Sequence, residues 1–260
     1  MKSILYILLG GMLLMIFASE SSLGSQPEDM TVELTVQVIA RGSKLIGTSM
    51  GGMRIVIQDA ETGEVLEEGV TSGETGDTEQ IMKTPRTGAD PVVYDDAAAF
   101  KTKLELSGPR MVRITAYGPL NARLSAHSIS AEQWLIPGKD LTGKAALILE
   151  WPGLVVEILE PEDSLFLKKG ESLEIEAGVV MGCGCVITPD GLWNVEDFEV
   201  LAVVTRQGEK VTELPLSYGG TPSSFTGVFH PEAAGEYGLT VHAFQRSTGN
   251  TGLDSTVIQK

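Results

Sequence analysis

The segment from Met181 to Trp193, M-G-C-G-C-V-I-T-P-D-G-L-W, concentrates the side chains of this sequence that are most able to do chemistry. It contains the only two cysteines of the chain, Cys183 and Cys185, with a single glycine between them. Two thiols so close together can form a disulfide, act in a metal or redox site, or serve as small buried side chains. The conformation of the backbone between them sets the distance between the two thiols and so determines which of these roles is open to them.

A period-two run of apolar residues leads into this segment and predicts a strand from Ser172 to Met181. If the strand continued, both cysteines would lie on its inward face with the core residues. Their Cβ atoms would then be ~6.5–7 Å apart, from a rise of about 3.3 Å per residue, whereas a disulfide needs about 3.5–4.5 Å. A disulfide between Cys183 and Cys185 therefore requires Gly182 and Gly184 to bend the chain sharply.

Copper(I) is the metal ion that two thiolates and a thioether suit best, so Met181, Cys183 and Cys185 form a candidate copper site. A histidine from a neighbouring strand, His230 or His242, would complete the ligands. C-x-C alone is a weak metal motif compared with paired C-x-x-C motifs. A disulfide, a copper or redox site, and inert buried thiols therefore stay open as three interpretations.

A second pattern, Gly47-Thr48-Ser49-Met50-Gly51, fits the G-x-S-x-G of serine hydrolases. That motif needs a helix directly after the serine to support the nucleophile, but the sequence predicts a strand there. The three histidines, His127, His230 and His242, lie in no recognisable partner motif. We therefore predict a protein that is not an enzyme, with copper as the one cofactor for which the residues make a case.

The charge of the chain narrows the choice of partners. Its 260 residues include 35 acidic and 19 basic side chains, which give a net charge of -16. This charge repels nucleic-acid phosphates and anionic lipid surfaces, and it favours cations or basic protein surfaces. We expect a partner protein and no nucleic acid.

The N-terminus has the order of regions found in a secretory signal peptide. Lys2 precedes an apolar run from Ile4 to Ala18, and small polar residues follow from Ser19 to Ser25. The apolar run is shorter than the ~20 residues of a membrane span, so cleavage after Gly24 is expected and an uncleaved anchor is the alternative. Residues 1–24 are predicted to be removed, and the mature protein is predicted to be periplasmic or extracellular.

Short apolar-polar alternations bounded by turn residues fill the rest of the chain, and they predict an all-β protein. In the first half, runs at Phe100–Leu106 and Met111–Tyr117 flank Ser107-Gly108-Pro109 and predict a hairpin, and Ile81-Met82 predicts a short strand. Trp151-Pro152-Gly153 interrupts the pattern, so we place a domain boundary there, between residues 30–152 and residues 153–260. Of the three tryptophans, one is expected to be a core residue at this seam.

The second half contains seven further runs in about a hundred residues, the pattern of an immunoglobulin-like sandwich. These runs are Ser164–Leu167, Ser172–Met181, Phe198–Arg206, Lys210–Leu214, Ser224–Phe229, Tyr237–Arg246 and Ser255–Gln259.

Two stretches resemble known extracellular modules. G-G-M-R-I-V-I-Q-D-A-E-T-G-E-V-L, from Gly51 to Leu66, resembles the opening of carboxypeptidase-regulatory or transthyretin-like domains. A-G-E-Y-G-L-T-V-H-A-F, from Ala234 to Phe244, with T-G-N-T-G-L-D from Thr248 to Asp254, is similar to the last hairpin of bacterial extracellular immunoglobulin-like domains. The second resemblance implies that Tyr237 is a corner tyrosine whose hydroxyl bonds to upstream backbone. Both imply secretion and a binding or spacing role, and neither implies chemistry.

These features together predict two tandem antiparallel β-sandwich domains, transthyretin-like and then immunoglobulin-like, behind a signal peptide. The predicted function is that of a non-catalytic binding or structural module in a periplasmic or cell-surface assembly. The alternative is a copper-binding or redox protein that uses Met181, Cys183, Cys185 and a histidine.

Overall fold

The computed structural model describes residues 30–83, 96–122, 124–162 and 170–259. The predicted signal peptide and the predicted strand at Ser164–Leu167 lie outside these ranges. Within them the chain forms two β-sandwiches in tandem, each built from two sheets, which confirms the predicted fold class. In the same ranges no helix is both long and apolar enough to cross a membrane.

The first sandwich packs a three-stranded sheet, in the order β4-β1-β7, against a four-stranded sheet, in the order β3-β2-β5-β6. Its strands are β1 (Thr31–Ala40), β2 (Arg54–Asp59), β3 (Val65–Val70), β4 (Phe100–Glu105), β5 (Arg110–Gly118), β6 (His127–Leu135) and β7 (Leu147–Trp151). β1 and β7 run parallel, whereas the other neighbours are antiparallel. The alternation along β1 buries Val32, Leu34, Val36 and Val38 between the two sheets.

The hairpin predicted at Phe100–Leu106 and Met111–Tyr117 is wrong, because the two strands belong to different sheets. β4 pairs with β1, while β5 pairs with β2 and β6. Ser107-Gly108-Pro109 carries the chain across the core, so that Leu104 and Ile114 are buried in the same cluster from opposite sides. Period-two alternation predicts each strand but not the strand with which it pairs. A hairpin and a crossing between two sheets both bury the same face of each strand, so the pattern does not distinguish them.

The strand predicted at Ile81-Met82 is also wrong. Glu79–Lys83 forms one turn of π-helix instead. Its apolar side chains pack with Leu45, Ala97 and Ala98 in a small separate cluster. One short helical turn is enough to bury the apolar side chains of this segment. A run of only two apolar residues does not distinguish a helical turn from a strand.

The second sandwich consists of two four-stranded antiparallel sheets, in the orders β12-β13-β9-β8 and β11-β10-β14-β15. The strands are β8 (Leu154–Glu160), β9 (Leu173–Met181), β10 (Phe198–Arg206), β11 (Glu209–Pro215), β12 (Ser217–Tyr218), β13 (Ser224–Phe229), β14 (Glu236–Gln245) and β15 (Thr251–Gln259). The inward side chains of both sheets form one core that contains Met181 and Cys183 at one end.

The corner tyrosine predicted in the second sandwich is confirmed. Tyr237 is 2% exposed, and its hydroxyl donates to the carbonyl oxygen of Ala233 at 2.7 Å. Its ring packs edge-on against Phe229, with the ring centroids 5.6 Å apart. The hydroxyl thus satisfies a carbonyl of the preceding loop while the ring fills the core.

We expect Tyr237→Phe to lower the free energy of unfolding of the second sandwich by about 1 kcal/mol, because the Ala233 carbonyl loses its donor while the ring remains. Urea unfolding followed by circular dichroism measures this change. Tyr218→Phe is the matched control, since the Tyr218 ring also packs edge-on against a phenylalanine, Phe225. Equal losses in the two variants would contradict the role of the Tyr237 hydroxyl.

Candidate functional site at the junction of the two sandwiches

The residues that follow β1, Arg41-Gly42-Ser43, form a tight turn at the end of the first sandwich, here called the junction turn. Ser43 N donates to Ala40 O at 2.9 Å, and Arg41 N donates to Trp151 O at 2.9 Å. Gly42 has a φ of +64°, a left-handed conformation that glycine adopts without strain. The turn therefore connects the first strand of this sandwich with the residue that ends its last strand.

Three residues from two loops of the second sandwich, the β9–β10 connection and the β14–β15 loop, each bind one residue of the junction turn. Asn250 Nδ2 donates to Arg41 O at 2.9 Å, and Trp193 Nε1 donates to Gly42 O at 3.0 Å. Ser43 Oγ lies 2.8 Å from Cys183 Sγ. Because a disulfide sulfur carries no hydrogen, the Ser43 hydroxyl is the donor in that contact.

The loop between β14 and β15 is organised around a buried amide and a carboxylate. Asn250 is fully buried, and its Nδ2 also donates to Gln245 Oε1 at 3.0 Å. Gln245 Nε2 in turn donates to Asp197 Oδ2 at 2.9 Å, and Ser247 donates to the same carboxylate through its N–H and its hydroxyl. Burial raises the pKa of Asp197, but the hydrogen bonds from Ser247 and Gln245 outweigh it and lower the pKa below its ordinary value. Asp197 is therefore an ionised organiser of this loop.

The two cysteines lie in a sharp bend where β9 ends. Gly184 N donates to Met181 O at 2.7 Å, and Gly184 has a φ of +78°. This bend leaves the Cα atoms of Cys183 and Cys185 5.4 Å apart, and the two residues are joined by a disulfide. The strand does not continue through both cysteines but ends at Met181, and the bend at the glycines is the one that a disulfide between the cysteines requires.

The residues of the candidate copper site are not brought together as a set. Met181 is fully buried in the core, and the two cysteine sulfurs are bonded to each other rather than available as thiolates. His230 and His242 border two different cavities. Across the described part of the chain, no group of three or more His, Cys, Asp or Glu side chains is placed to hold a metal ion. Copper binding by the sulfur residues stays a prediction.

The G-x-S-x-G pattern lies beside the bend that carries the cysteines, since a Cβ atom at Gly184 would be 2.7 Å from Met50 Sδ. Ser49 is exposed in a three-residue 3-10 helix, Thr48–Met50, which ends at Gly51. The chain then enters β2, so no long helix supports the serine. The second carboxyl group with a shifted pKa, Asp59, is also structural. The Thr62 N–H lowers the pKa of Asp59, with help from the Glu61 N–H and the Arg110 guanidinium.

Trp151 closes the first core directly beneath the junction turn and confirms the expected tryptophan at the seam. It is fully buried, and the ring of His127 stacks on it with centroids 4.6 Å apart and planes at 24°. A Cβ atom at Gly182 would lie 2.7 Å from the Trp151 ring and 2.9 Å from Ala40 Cβ. The glycine thus allows the bend at Gly182–Cys185, here called the sulfur loop, to approach the first sandwich closely.

A second set of contacts joins the sandwiches beside the junction turn. Ser125 Oγ donates to Leu253 O at 3.1 Å and accepts from Val156 N at 3.1 Å. The surfaces next to Ser125 leave a groove of about 570 Å³, bordered by both sandwiches. Sequence reasoning missed Ser43, Ser125 and Asn250 as junction residues. The turn signals at R-G-S and T-G-N-T-G mark two of them as loop residues, but nothing in the sequence shows which loops meet.

No protein-family model and no curated protein matches this chain. Among solved structures, fibronectin(III)-like modules of Clostridium thermocellum CbhA match at 11% identity and a TM-score of 0.28, over 88% of this chain and 93% of that chain. The C-terminal domain of the Streptococcus agalactiae AgI/II polypeptide BspA matches at 9% identity and a TM-score of 0.25, over 88% and 100%. A Cellulomonas fimi endo-β-1,4-mannanase double mutant matches at 18% identity and a TM-score of 0.28, over 48% of this chain and 22% of that chain.

The matched region therefore spans less than a quarter of the mannanase, and it spans 24% of an engineered protein that also matches. Likenesses this distant carry no argument about function. The resemblance of the first half to transthyretin-like modules stays a prediction.

We expect Gly182→Ala to lower the free energy of unfolding by about 1–3 kcal/mol, because the new methyl group meets the buried Trp151 ring and Ala40. Urea unfolding of the oxidised protein measures the loss. Gly108→Ala is the matched control, since a Cβ atom at Gly108 would have no atom within 4 Å. The close packing of the sulfur loop would be contradicted if both variants unfolded like the wild type.

Proposed function

We propose that this protein is an exported, non-catalytic module of a periplasmic or cell-surface assembly, which holds its two sandwiches at a set angle and presents them to a partner protein. The observation that carries the proposal is the junction turn, whose three residues are each bound by a residue of the second sandwich, two from the β9–β10 connection and one from the β14–β15 loop. A protein that needed only two independent domains would have no use for such contacts.

The covalent connection supports the same role. β7 ends at Trp151 and β8 begins at Leu154, so only Pro152 and Gly153 join the sandwiches. A connection this short limits the orientations that are sterically open, and proline restricts them further. The Ser125 contacts act beside the linker and the junction turn, so bending at one of these places would break contacts at the others.

The character of the polar groups supports a binding role over a catalytic one. The two carboxyl groups with lowered pKa values organise turns through hydrogen bonds to nearby backbone and side chains. The net charge of -16 favours a partner protein with a basic surface. Export rests on the signal-peptide pattern of residues 1–24.

We expect the double variant Trp193→Phe/Asn250→Ala to loosen the angle between the sandwiches while both stay folded. It removes the hydrogen bonds to Gly42 O and Arg41 O, and the loss of a typical hydrogen bond costs about 0.5–1.5 kcal/mol. Residual dipolar couplings should fit one common alignment tensor in the wild type and two different tensors in the variant. Small-angle scattering should show a broader distribution of maximum dimensions.

Trp134→Phe is the control, because Trp134 is 54% exposed and its Nε1 has no bond to the junction turn. If the wild type itself required two tensors, the proposal of a set angle would be rejected. Export and assembly are checked separately, by cross-linking in intact cells. Recovery of the protein only in the cytoplasm, as an uncomplexed monomer with residues 1–24 still attached, would reject the proposed role in an exported assembly.

A thiol–disulfide redox function is the second candidate, and the Cys183–Cys185 disulfide is the observation that favours it. A disulfide stabilises a fold mainly by restricting the unfolded chain, and this effect is smaller for a short loop than for a long one. Stabilisation of the fold therefore explains the Cys183–Cys185 disulfide poorly. Cys185 is half-buried rather than fully buried, which leaves one sulfur accessible to an attacking thiolate. A dithiol donor would transfer two electrons and two protons: the thiolate of one donor thiol attacks a sulfur and breaks the S–S bond, the second donor thiol resolves the mixed disulfide, Cys183 and Cys185 become thiols, and the donor becomes a disulfide.

We expect equilibration with reduced and oxidised dithiothreitol to open and close the disulfide reversibly in the folded protein, because one sulfur is accessible. Thiol titration should count two thiols per chain in the reduced form, and copper(I) should bind only to that form. Cys183→Ser/Cys185→Ser is the control for both signals. A disulfide that is reduced only when the protein unfolds would exclude the redox function, and a reduced protein without copper affinity would exclude the copper alternative.

A further inference from the structure

The groove beside Ser125 brings together side chains that are far apart in the sequence. Leu124 and His127 border it from the first sandwich, and His242, Phe244 and Leu253 border it from the second. Leu124, Phe244 and Leu253 are all at least 40% exposed, and Pro152 of the linker forms part of the wall. The groove is therefore open, largely apolar, and shared by the two sandwiches.

Two of the three histidines of the chain border this one groove. His127 begins β6, and His242 lies on the outward face of β14, where its neighbours across the sheet are Leu201 and Leu253. Both side chains are half-buried. The third histidine, His230, is exposed and borders a different cavity beside Arg206 and Tyr237.

The hydrogen bonding of His127 leaves its other ring nitrogen available for a ligand. His127 Nδ1 lies 3.1 Å from the carbonyl oxygen of Ser125. A carbonyl oxygen only accepts, so Nδ1 carries the hydrogen and the lone pair of the neutral ring is on Nε2. Histidines that bind metal ions usually donate their second N–H in this way to a carbonyl or a carboxylate. Stacking on Trp151 further restricts the orientation of the ring.

Among the residues that the structure describes, those that line the groove include no carboxylate and no ammonium group, although the chain has 35 acidic residues. Four other cavities in the described ranges each include at least one carboxylate, for example Glu74, Glu232, Asp59 and Glu160. Calcium and magnesium ions prefer oxygen ligands, so this groove does not suit them. Imidazole nitrogens suit copper(II), nickel(II) and zinc ions.

We propose that His127 and His242 form a binding site for a divalent transition-metal ion, with the remaining coordination positions filled by water. The ligands of this site include no residue of the sulfur loop and no residue of the junction turn. A bound ion would link one strand of each sandwich. It would also stabilise the native protein in proportion to its occupancy, since the unfolded chain does not hold the two histidines together.

We test the site by calorimetric titration of zinc chloride into the oxidised mature protein, with His127→Gln and His242→Gln as variants. The wild type should bind one zinc ion. In each variant the affinity for zinc should fall by more than about tenfold. Removing a residue that only hydrogen-bonds to a metal ligand already lowers the affinity by about tenfold or more, and here a ligand itself is lost. His230→Gln is the matched control and should bind zinc like the wild type.

Copper(II) provides a spectroscopic readout of the ligands. Nitrogen hyperfine structure in the paramagnetic resonance spectrum should indicate two imidazoles in the wild type and one in either variant. Thermal unfolding without metal shows whether each variant is folded, and His242→Gln keeps the test decisive if His127→Gln fails because it loses the Trp151 stack. Equal zinc binding in the wild type and both variants, or no zinc binding by the wild type, would overturn the proposal.

Discussion

The contacts to the junction turn are the interaction on which the arrangement of the two sandwiches depends. The backbone carbonyl oxygens of Arg41 and Gly42 accept hydrogen bonds from side-chain donors that lie outside the first sandwich. Asn250 and Trp193 supply them from two loops of the second sandwich. A buried amide and an indole can satisfy these carbonyls only at one relative position of the two bodies. A single hydrogen bond contributes only modestly to net stability, but these two hydrogen bonds also help to set the relative orientation of the two sandwiches.

The sulfur loop is part of the same arrangement. Gly182 allows the chain to pass close to Trp151, Gly184 adopts a left-handed conformation, and the disulfide holds Cys183 in the position where Ser43 donates to it. The segment with the most reactive side chains is thus also a packing element of the junction. A structural role and a redox role are compatible in this segment, because Cys183 faces the junction while Cys185 is half-buried beside it.

The interface between the sandwiches divides into a dry part and an open part. Around the junction turn, the carbonyl oxygens of Arg41 and Gly42 are paired and the side chains of Trp151 and Asn250 are inaccessible to solvent, while Trp151 Nε1 and Asn250 Oδ1 have no hydrogen-bond partner among the described residues. Beside Ser125 the two bodies diverge and leave a groove with apolar walls and two imidazoles. Because the dry part sets the angle between the sandwiches, it also sets the shape of the groove, and any ligand of the groove senses that angle. Binding in the groove and stiffness at the junction turn are therefore physically coupled.

The resemblance to immunoglobulin-like domains implied the corner role of Tyr237. The sequence alone determined the all-β class, most strand positions and the requirement that glycines bend the chain before two cysteines could bond. These follow from local rules, since alternation, turn chemistry and bond geometry act over a few residues. Only the tertiary structure decided that β4 and β5 lie in different sheets, that Ile81 lies in a helical turn, and that His242 borders a groove with His127 rather than a site with Cys183. Those outcomes depend on which distant surfaces bury one another, and the same alternating pattern is compatible with several pairings.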